Sequence, residues 1–141
     1  MIYTTYFGQL KNLPDNIYPI AICRVLPKGW QGLYDKTLAP NTEFLNRWKE
    51  IHDIDDYMKC YQAQVLDSFC VDDVIKRLYE KLPLHTKIIL DLSGFDYWEH
   101  PDIHIALVCY EKEGFCHRHL IAKEFRKNGI PCREWGLKNF N

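Results

Sequence analysis

The chain has 141 residues, of which 47% are hydrophobic, 14% aromatic and 26% charged, and its formal net charge is −1. This length is near the commonest domain size and the composition suits a packed core, which excludes intrinsic disorder and favours one domain over residues 1–141. The charge disfavours a nucleic-acid partner, and no apolar run approaches the roughly 20 residues of a transmembrane helix.

Six cysteines, at positions 23, 60, 70, 109, 116 and 132, are a large number for so short a chain. None forms a C-x-x-C pair, so a zinc ribbon or a thioredoxin-type motif is not indicated. An even count would fit a disulfide framework, but the first residues lack the basic and apolar segments of a signal peptide. The apolar content is also sufficient for a core without cross-links. We therefore expect reduced thiols and a cytoplasmic location.

Two strands and a long loop are predicted in the first part of the chain. Residues 2–7 are rich in β-branched and aromatic side chains, which are typical of a strand. Residues 18–25 form a nearly continuous apolar run, as in a strand that is buried on both faces. Residues 26–40 contain several Pro and Gly residues and show no hydrophobic period, so they indicate a long loop, and such loops are often functional.

Three helices are predicted after this loop. Thr42 is a suitable N-cap for the first, whose apolar residues recur at helical spacing. The second begins at Ile54, with Asp53 as its N-cap. The third begins at Asp72 and stops at Pro83, which cannot continue a helix.

The remaining pattern predicts three more strands and one more helix. Residues 87–92 and 103–110 are apolar runs of the length that buried strands have. A helix is predicted over 116–128, and Gly129 follows it at the position that favours a left-handed cap. Residues 132–135 complete the pattern as a final strand.

Strands that alternate with helices and consist of apolar runs are typical of an α/β fold with a parallel sheet. We therefore predict a single α/β domain with a mostly parallel sheet of about five strands. Helices are expected on both faces of the sheet, which gives a Rossmann-like three-layer architecture.

In such a sheet, ligands bind beyond the carboxyl ends of the strands. The strand predicted at 103–110 leads into a helix start, where free N–H groups and the helix dipole favour an anion. We therefore expect a phosphate or carboxylate ligand at this rim. The residues that the predicted strand ends bring to the rim are Tyr6, Phe7, Arg24, Asp91, Ser93, Cys109, Tyr110 and Glu111.

The helix start carries Cys116, His117 and Arg118. Arg118 is expected to add a bidentate contact to the bound anion. The positive end of the helix favours thiolate over thiol, so Cys116 is a candidate nucleophile with a lowered pKa and His117 a candidate proton carrier. The alternative is that Cys116 and Cys109 pack as small apolar side chains.

Three further residues are candidates for binding or catalysis. Glu111 follows a buried strand and suits a general acid or base, or a ligand of ribose hydroxyls; a solvated glutamate is the alternative. Arg24 closes an apolar strand and needs a partner, either a carboxylate such as Asp91 or a ligand anion. Lys28 lies in a loop whose glycines and aromatics would suit stacking on a base or a sugar.

A structural zinc site is a third interpretation, because Cys109, Cys116, His117 and His119 lie within a short segment. Adjacent residues on a helix point about 100° apart, and the chain offers no second pair of ligands. We therefore predict a site without metal or cofactor.

The segment from Ala106 to Ala122 resembles the signature of the family catalogued as domain of unknown function 488. That signature is a strand ending in Cys-x-Glu, a short loop, and Cys-His-Arg at the start of a helix. A weaker resemblance covers residues 22–27 and 38–40, although this chain has Ile22-Cys23-Arg24 where many members have Asp-Val-Arg. The resemblance implies an α/β fold and a bacterial, archaeal or viral source, but no activity. The five matching residues are Cys109, Glu111, Cys116, His117 and Arg118.

Two hypotheses for function follow. The first is a small enzyme, a hydrolase or transferase, that acts on a nucleotide, a nucleoside or another anionic small molecule. The second is a module that binds a nucleotide or phosphate without chemistry, for sequestering or sensing. Under either hypothesis, the protein is expected to form a homodimer. The catalytic residues of the first hypothesis are Glu111, Cys116 and His117, and its ligand-binding residues are Tyr6, Arg24, Lys28, Cys109, Tyr110 and Arg118.

Overall fold

The protein is described by a computed structural model that covers residues 1–112 and 116–136. A single sheet of five strands runs through it in the order β3-β2-β4-β1-β5, and every pair of neighbouring strands is parallel. The strands are β1 (Ile2–Tyr6), β2 (Ile17–Ala21), β3 (Leu33–Tyr34), β4 (His104–Cys109) and β5 (Cys132–Glu134). The α-helices are α1 (Thr42–Ile51), α2 (Ile54–Gln64), α3 (Val71–Tyr79), α4 (Leu84–Ser93) and α5 (His117–Lys127).

The central strand is β4, which is covered on both faces. Ile105 and Leu107 point to one face, Ala106 and Val108 to the other, and all four are fully buried. This explains why β4 is an uninterrupted apolar run rather than an alternating pattern.

The connections between strands lie on both faces of the sheet, but the five α-helices collect on one of them. The connection from β4 to β5 crosses β1, and the connection from β1 to β2 crosses β4 in the opposite direction along the sheet. Because such connections are right-handed, these two lie on opposite faces of the sheet. Helices α1–α5 share one core cluster with the Ile105 and Leu107 face of β4. The opposite layer is thinner and contains the 3-10 helix at Phe7–Asn12. The predicted three-layer α/β fold is thus confirmed.

One predicted strand is wrong. Residues 87–92 belong to the helix α4, and the place of the fifth strand is taken by the short β3. The apolar run predicted a buried strand, but most of its side chains are not buried. Leu92 is 82% exposed, whereas Leu90 is 2% exposed and faces the core. Exposed branched side chains on a helix surface give the same local pattern as a buried strand.

Several boundaries follow the predicted signals, and others shift. Asp53 caps α2 through the backbone N–H groups of Asp55 and Asp56, and Gly129 has a φ of 82°, which is the left-handed cap expected after α5. The N-cap of α1 is Asn41 instead of Thr42, because its side chain accepts the hydrogen bond.

The predicted long loop also holds more structure than expected. Besides β3, residues 26–40 contain a 3-10 helix at Lys36–Leu38. The predicted strand at 18–25 ends earlier, at Ala21. Among the helices in the described part of the chain, none combines the length and apolarity that crossing a membrane requires.

Candidate functional site

A pocket of about 200 Å³ lies at the carboxyl end of β4, where α5 begins. This is the rim at which an open parallel sheet binds ligands. Its walls come from the segment after β2, from α1 and α2, and from the segment that joins β4 to α5. The lining residues are Cys23, Arg24, Val25, Pro40, Leu45, Trp48, Lys49, Tyr57, Cys109, Tyr110, Glu111, Cys116 and His117.

Two thiols and an imidazole form a buried cluster on the pocket wall. One donor atom from each of Cys109, Cys116 and His117 lies within 4.8 Å of the others. Cys109 Sγ is 3.6 Å from His117 Nε2, and Cys116 Sγ is 3.8 Å from His117 Nδ1. The exposed fractions of Cys109, Cys116 and His117 are 1%, 2% and 6%. A molecule that enters the pocket therefore meets sulfur and imidazole where bulk water is largely excluded.

The orientation of His117 is fixed by a backbone carbonyl. Its Nε2 lies 2.7 Å from the carbonyl oxygen of Ile22, just after β2. A carbonyl oxygen only accepts hydrogen bonds, so Nε2 must carry the proton and donate it. The second ring nitrogen, Nδ1, is thereby directed to Cys116, where it either accepts from the thiol or donates to the thiolate.

Cys116 is placed to exist as a thiolate. It is the residue before α5, with extended backbone angles of φ −150° and ψ 145°. Hydrogen bonding from the Cys109 thiol lowers the pKa of Cys116 to about 3, and His117 and the backbone N–H of Arg118 act in the same direction against the effect of burial. The lowered pKa expected from the helix start therefore has three local causes.

Cys109 and Glu111 shift in the opposite direction. Burial, and then the neighbouring Cys116, raise the pKa of the Cys109 thiol well above its usual value, so Cys109 stays protonated. Desolvation at the pocket wall and the negative charge of Cys116 also raise the pKa of Glu111, although much of this side chain is exposed. The pocket thus holds one thiolate beside one thiol and a carboxyl group with increased proton affinity.

Arg118 differs from the expectation. Its guanidinium forms two hydrogen bonds with the Glu134 carboxylate, at 3.1 and 2.9 Å, and donates a third to the backbone oxygen of Glu111 at 2.6 Å. The side chain is 1% exposed and is not part of the pocket wall. Arg118 is therefore not placed to contact an anion in this pocket, because its charge is already paired with Glu134. Arg118 instead positions the start of α5.

The other predicted binding residues divide into two groups. Arg24 and Tyr110 line the pocket. Lys28 is exposed in its loop, and the centroid of the Tyr6 ring is 6.0 Å from the Arg118 guanidinium. Lys28 and Tyr6 therefore lie outside the pocket wall.

Arg24 donates from Nε to the Pro40 carbonyl, and within residues 1–112 and 116–136 no carboxylate lies within ion-pair distance of it. The predicted alternative partner Asp91 is on α4, where it accepts from the Tyr97 hydroxyl. Asp91 and Ser93 are thus not at the rim, since the strand that was to place them there is a helix.

Sequence reasoning missed the wall that α1 and α2 contribute. Trp48 and Lys49 come from α1 and Tyr57 from α2, and the Trp48 and Tyr57 rings meet edge to face with centroids 5.1 Å apart. The helical spacing predicted a core face for both, and only the Tyr57 hydroxyl was considered able to reach the cleft. The one local signal is that both aromatic residues follow the long loop closely in sequence.

The thiol and imidazole cluster also offers the donor types of a metal site. The argument from helical angles does not apply to Cys116, because this residue precedes the helix. Since Nε2 of His117 is bonded to Ile22, only Nδ1 is available as a ligand, while Cys109 lies on the Nε2 side. The two sulfurs therefore approach different edges of the ring, an arrangement that suits proton exchange between thiols and imidazole better than tetrahedral coordination.

Comparisons of this chain with protein-family models, with curated proteins and with solved structures give no match. The resemblance to the family of domain of unknown function 488 therefore rests on the motif residues themselves. Four of these five residues, Cys109, Glu111, Cys116 and His117, line the pocket, and the fifth, Arg118, hydrogen-bonds to the backbone oxygen of Glu111.

Proposed function

We propose that this protein is an enzyme, a hydrolase or transferase, that acts on a small anionic molecule such as a nucleotide or nucleoside in the pocket after β4. The observation that carries the proposal is the position of the Cys116 sulfur, which lies on the pocket wall 3.8 Å from His117 Nδ1, in a pocket that Glu111 also lines. The motif resemblance, a cytoplasmic location and reduced thiols belong to the same proposal, and all six cysteines are free.

The chemistry follows from the two groups. The Cys116 thiolate attacks an electrophilic atom of the substrate, so that a bond to sulfur forms as the bond to the leaving group breaks. Glu111 gives its proton to the leaving group, and its raised pKa favours the protonated form that this step needs. Water or an acceptor then attacks the adduct, Glu111 removes the proton of this nucleophile, and the thiolate leaves. His117 Nδ1 accepts the proton of the Cys116 thiol and donates to the thiolate.

The rest of the pocket favours an anion with a flat ring. Arg24 and Lys49 are its cationic wall residues, and the Arg24 guanidinium has no carboxylate partner among the described residues. Trp48 and Tyr57 supply aromatic surface next to them. Cationic side chains bind the phosphate of a nucleotide, and aromatic faces next to them stack on its base.

The proposal is testable without a known substrate, because two alkylating reagents of similar size differ in charge. Iodoacetate is anionic and iodoacetamide is neutral. Relative to glutathione, Cys116 is expected to react several-fold faster with iodoacetate than with iodoacetamide, and Arg24→Gln should remove this preference. Inorganic phosphate should slow the reaction in the unchanged protein. Peptide mass spectrometry locates the label.

Arg133→Gln is the matched control, because Arg133 is an exposed arginine on β5 outside the pocket wall. Its preference for iodoacetate should equal that of the unchanged protein. Equal relative rates for both reagents at Cys116 would contradict the anion-binding part of the proposal, and absence of label at Cys116 would contradict the nucleophile.

Glu111→Gln separates catalysis from capture without chemistry. Nucleoside monophosphates are first screened for protection of Cys116 from iodoacetate, and turnover of the protecting compound is then followed by mass spectrometry. An enzyme loses turnover in Glu111→Gln while the protection constant is retained. A protecting compound that the unchanged protein never converts would favour the binding module.

A further inference from the structure

We propose that Cys109 and Cys116 form a redox-active dithiol pair, in which Cys116 reduces a hydroperoxide and Cys109 then closes a disulfide with it. This activity rests on the same Cys116 thiolate as the proposed function and adds a second reaction partner, Cys109, to the site. Nucleophilic substitution forms a bond to only one sulfur, and in that reaction Cys109 serves only as a hydrogen-bond donor to Cys116.

The geometry brings the two sulfurs together from elements that are fixed. Cys109 is the last residue of the central strand β4, and Cys116 directly precedes α5. Their Sγ atoms lie within 4.8 Å of each other, in the cluster that includes His117. A disulfide has a length of about 2 Å, so the closure needs side-chain rotation and a small local shift.

The two thiols have the different protonation states that this reaction requires. Cys116 is the thiolate and therefore the sulfur that attacks first. Cys109 is kept as a neutral thiol by burial and by the charge of Cys116. A protonated second thiol does not compete for the oxidant, and it becomes the attacking group only after Cys116 has been oxidised.

The reaction balances with a hydroperoxide as oxidant. The Cys116 thiolate attacks one peroxide oxygen, an S–O bond forms as the O–O bond breaks, and the released oxide takes a proton to give water or an alcohol. Cys116 is then a sulfenic acid. The Cys109 sulfur attacks this sulfur, the S–S bond forms, and the hydroxyl group leaves as water with the proton of Cys109. An external dithiol reduces the disulfide and completes the cycle.

The pocket supports a small oxidant. Cys109 and Cys116 both line it, although each is almost fully buried, so a reagent reaches them only through a space of about 200 Å³. A third thiol, Cys23, lines the same pocket but lies outside the cluster, and its Sγ hydrogen-bonds to the Val25 carbonyl at 3.3 Å. Cys23 is therefore the natural control for the pairing.

The experiment treats reduced protein, purified with a chelator, with one equivalent of hydrogen peroxide. Free thiols are counted under denaturing conditions and the product is mapped by peptide mass spectrometry. The unchanged protein is expected to lose two thiols and to contain a Cys109–Cys116 disulfide. Cys109→Ser, which keeps a hydrogen-bond donor beside Cys116, should lose one thiol and bind dimedone at Cys116. Cys23→Ser should behave like the unchanged protein.

Each other outcome overturns the inference. Loss of a single thiol in the unchanged protein, oxidation of Cys116 to the sulfinic acid, or a disulfide that includes Cys23 would show that Cys109 is not the second thiol. About one equivalent of bound zinc in protein purified without a chelator, with both thiols protected from peroxide, would assign the cluster to a metal.

The result is separable from that of the proposed function. If Cys116 reacts with iodoacetate as described above but forms no disulfide, only the dithiol inference fails. If Cys116 is inert toward both iodoacetate and peroxide, both fail. The Cys109–Cys116 linkage is read from the unchanged protein, so it does not depend on the folding of a variant.

Discussion

At the scale of single residues, the site depends on one backbone hydrogen bond that gives His117 its direction. Because Nε2 donates to the Ile22 carbonyl, Nδ1 faces Cys116 and the pair shares one proton. The arrangement joins two parts of the chain that are far apart in sequence, Ile22 and the Cys116-His117 pair. The contact between Cys116 and His117 therefore depends on the position of Ile22, which follows β2.

The first prediction concerns the pH dependence of Cys116 alkylation. With a pKa of about 3, Cys116 is fully ionised above about pH 5, so its rate should be constant from there to pH 8. Glutathione in the same reaction should instead slow about tenfold for each pH unit below the pKa of its thiol, as an ordinary thiol does. Both rates come from one iodoacetamide time course.

His117→Ala raises the pKa of Cys116, because it removes one of the three stabilising contacts, and the rate at about pH 5 should fall. The pKa should not reach that of a free thiol, since Cys109 and the backbone N–H of Arg118 remain. An unchanged profile in His117→Ala would show that the imidazole does not stabilise the thiolate.

At the scale of elements, α5 is fastened to the sheet by a buried ion pair. Arg118 on α5 bonds to Glu134 on β5, and Thr4 on β1 donates to the same carboxylate at 2.7 Å. The contact sets where α5 begins and hence where Cys116 and His117 lie. A sequence motif that seemed to serve ligand binding thus has a partly architectural purpose.

The second prediction is that Arg118→Met lowers the free energy of unfolding by about 3–5 kcal/mol, because it leaves the largely buried Glu134 carboxylate without its cation and with only the Thr4 hydroxyl as a partner. Arg133→Met should change it by no more than about 0.5 kcal/mol, since Arg133 is exposed. Urea denaturation followed by circular dichroism measures both. Similar values for the two variants would contradict a structural role for Arg118.

The third prediction uses the two faces of α4. Leu90 is 2% exposed, so Leu90→Ala should lower the free energy of unfolding by about 2–5 kcal/mol. Leu92 is 82% exposed, and Leu92→Lys should be neutral within about 0.5 kcal/mol. The same denaturation experiment distinguishes this helix from the strand that the apolar run predicted, in which residues two positions apart would share one face. A large loss for Leu92→Lys would contradict the helix.

At the scale of the whole molecule, stability is concentrated in the middle of the sheet. β4 and β1 pair over five positions, whereas β3 contributes two residues at one edge. The pocket lies where the central strand ends, so Cys109 on its wall belongs to a strand that is paired on both sides. The possible homodimer stays a prediction.

The fourth prediction is that amide protons of β4 exchange only through global unfolding, at about 5–15 kcal/mol, and that β3 exchanges far more easily. Native-state hydrogen exchange with peptide-level mass spectrometry resolves the two strands. Equal protection of β3 and β4 would contradict the proposed distribution of stability.

The sequence by itself determined the α/β class, the existence of the strand β4, the caps of α2 and α5 and the concentration of Cys109, Glu111, Cys116 and His117 at one rim. These features depend on local pattern and on the rule that parallel strands end at one edge. The tertiary structure decided that residues 87–92 are helical, that Arg118 binds Glu134, and that α1 and α2 supply the aromatic wall. Burial and charge pairing join residues distant in the chain, and no local pattern records which side of an apolar run meets the core.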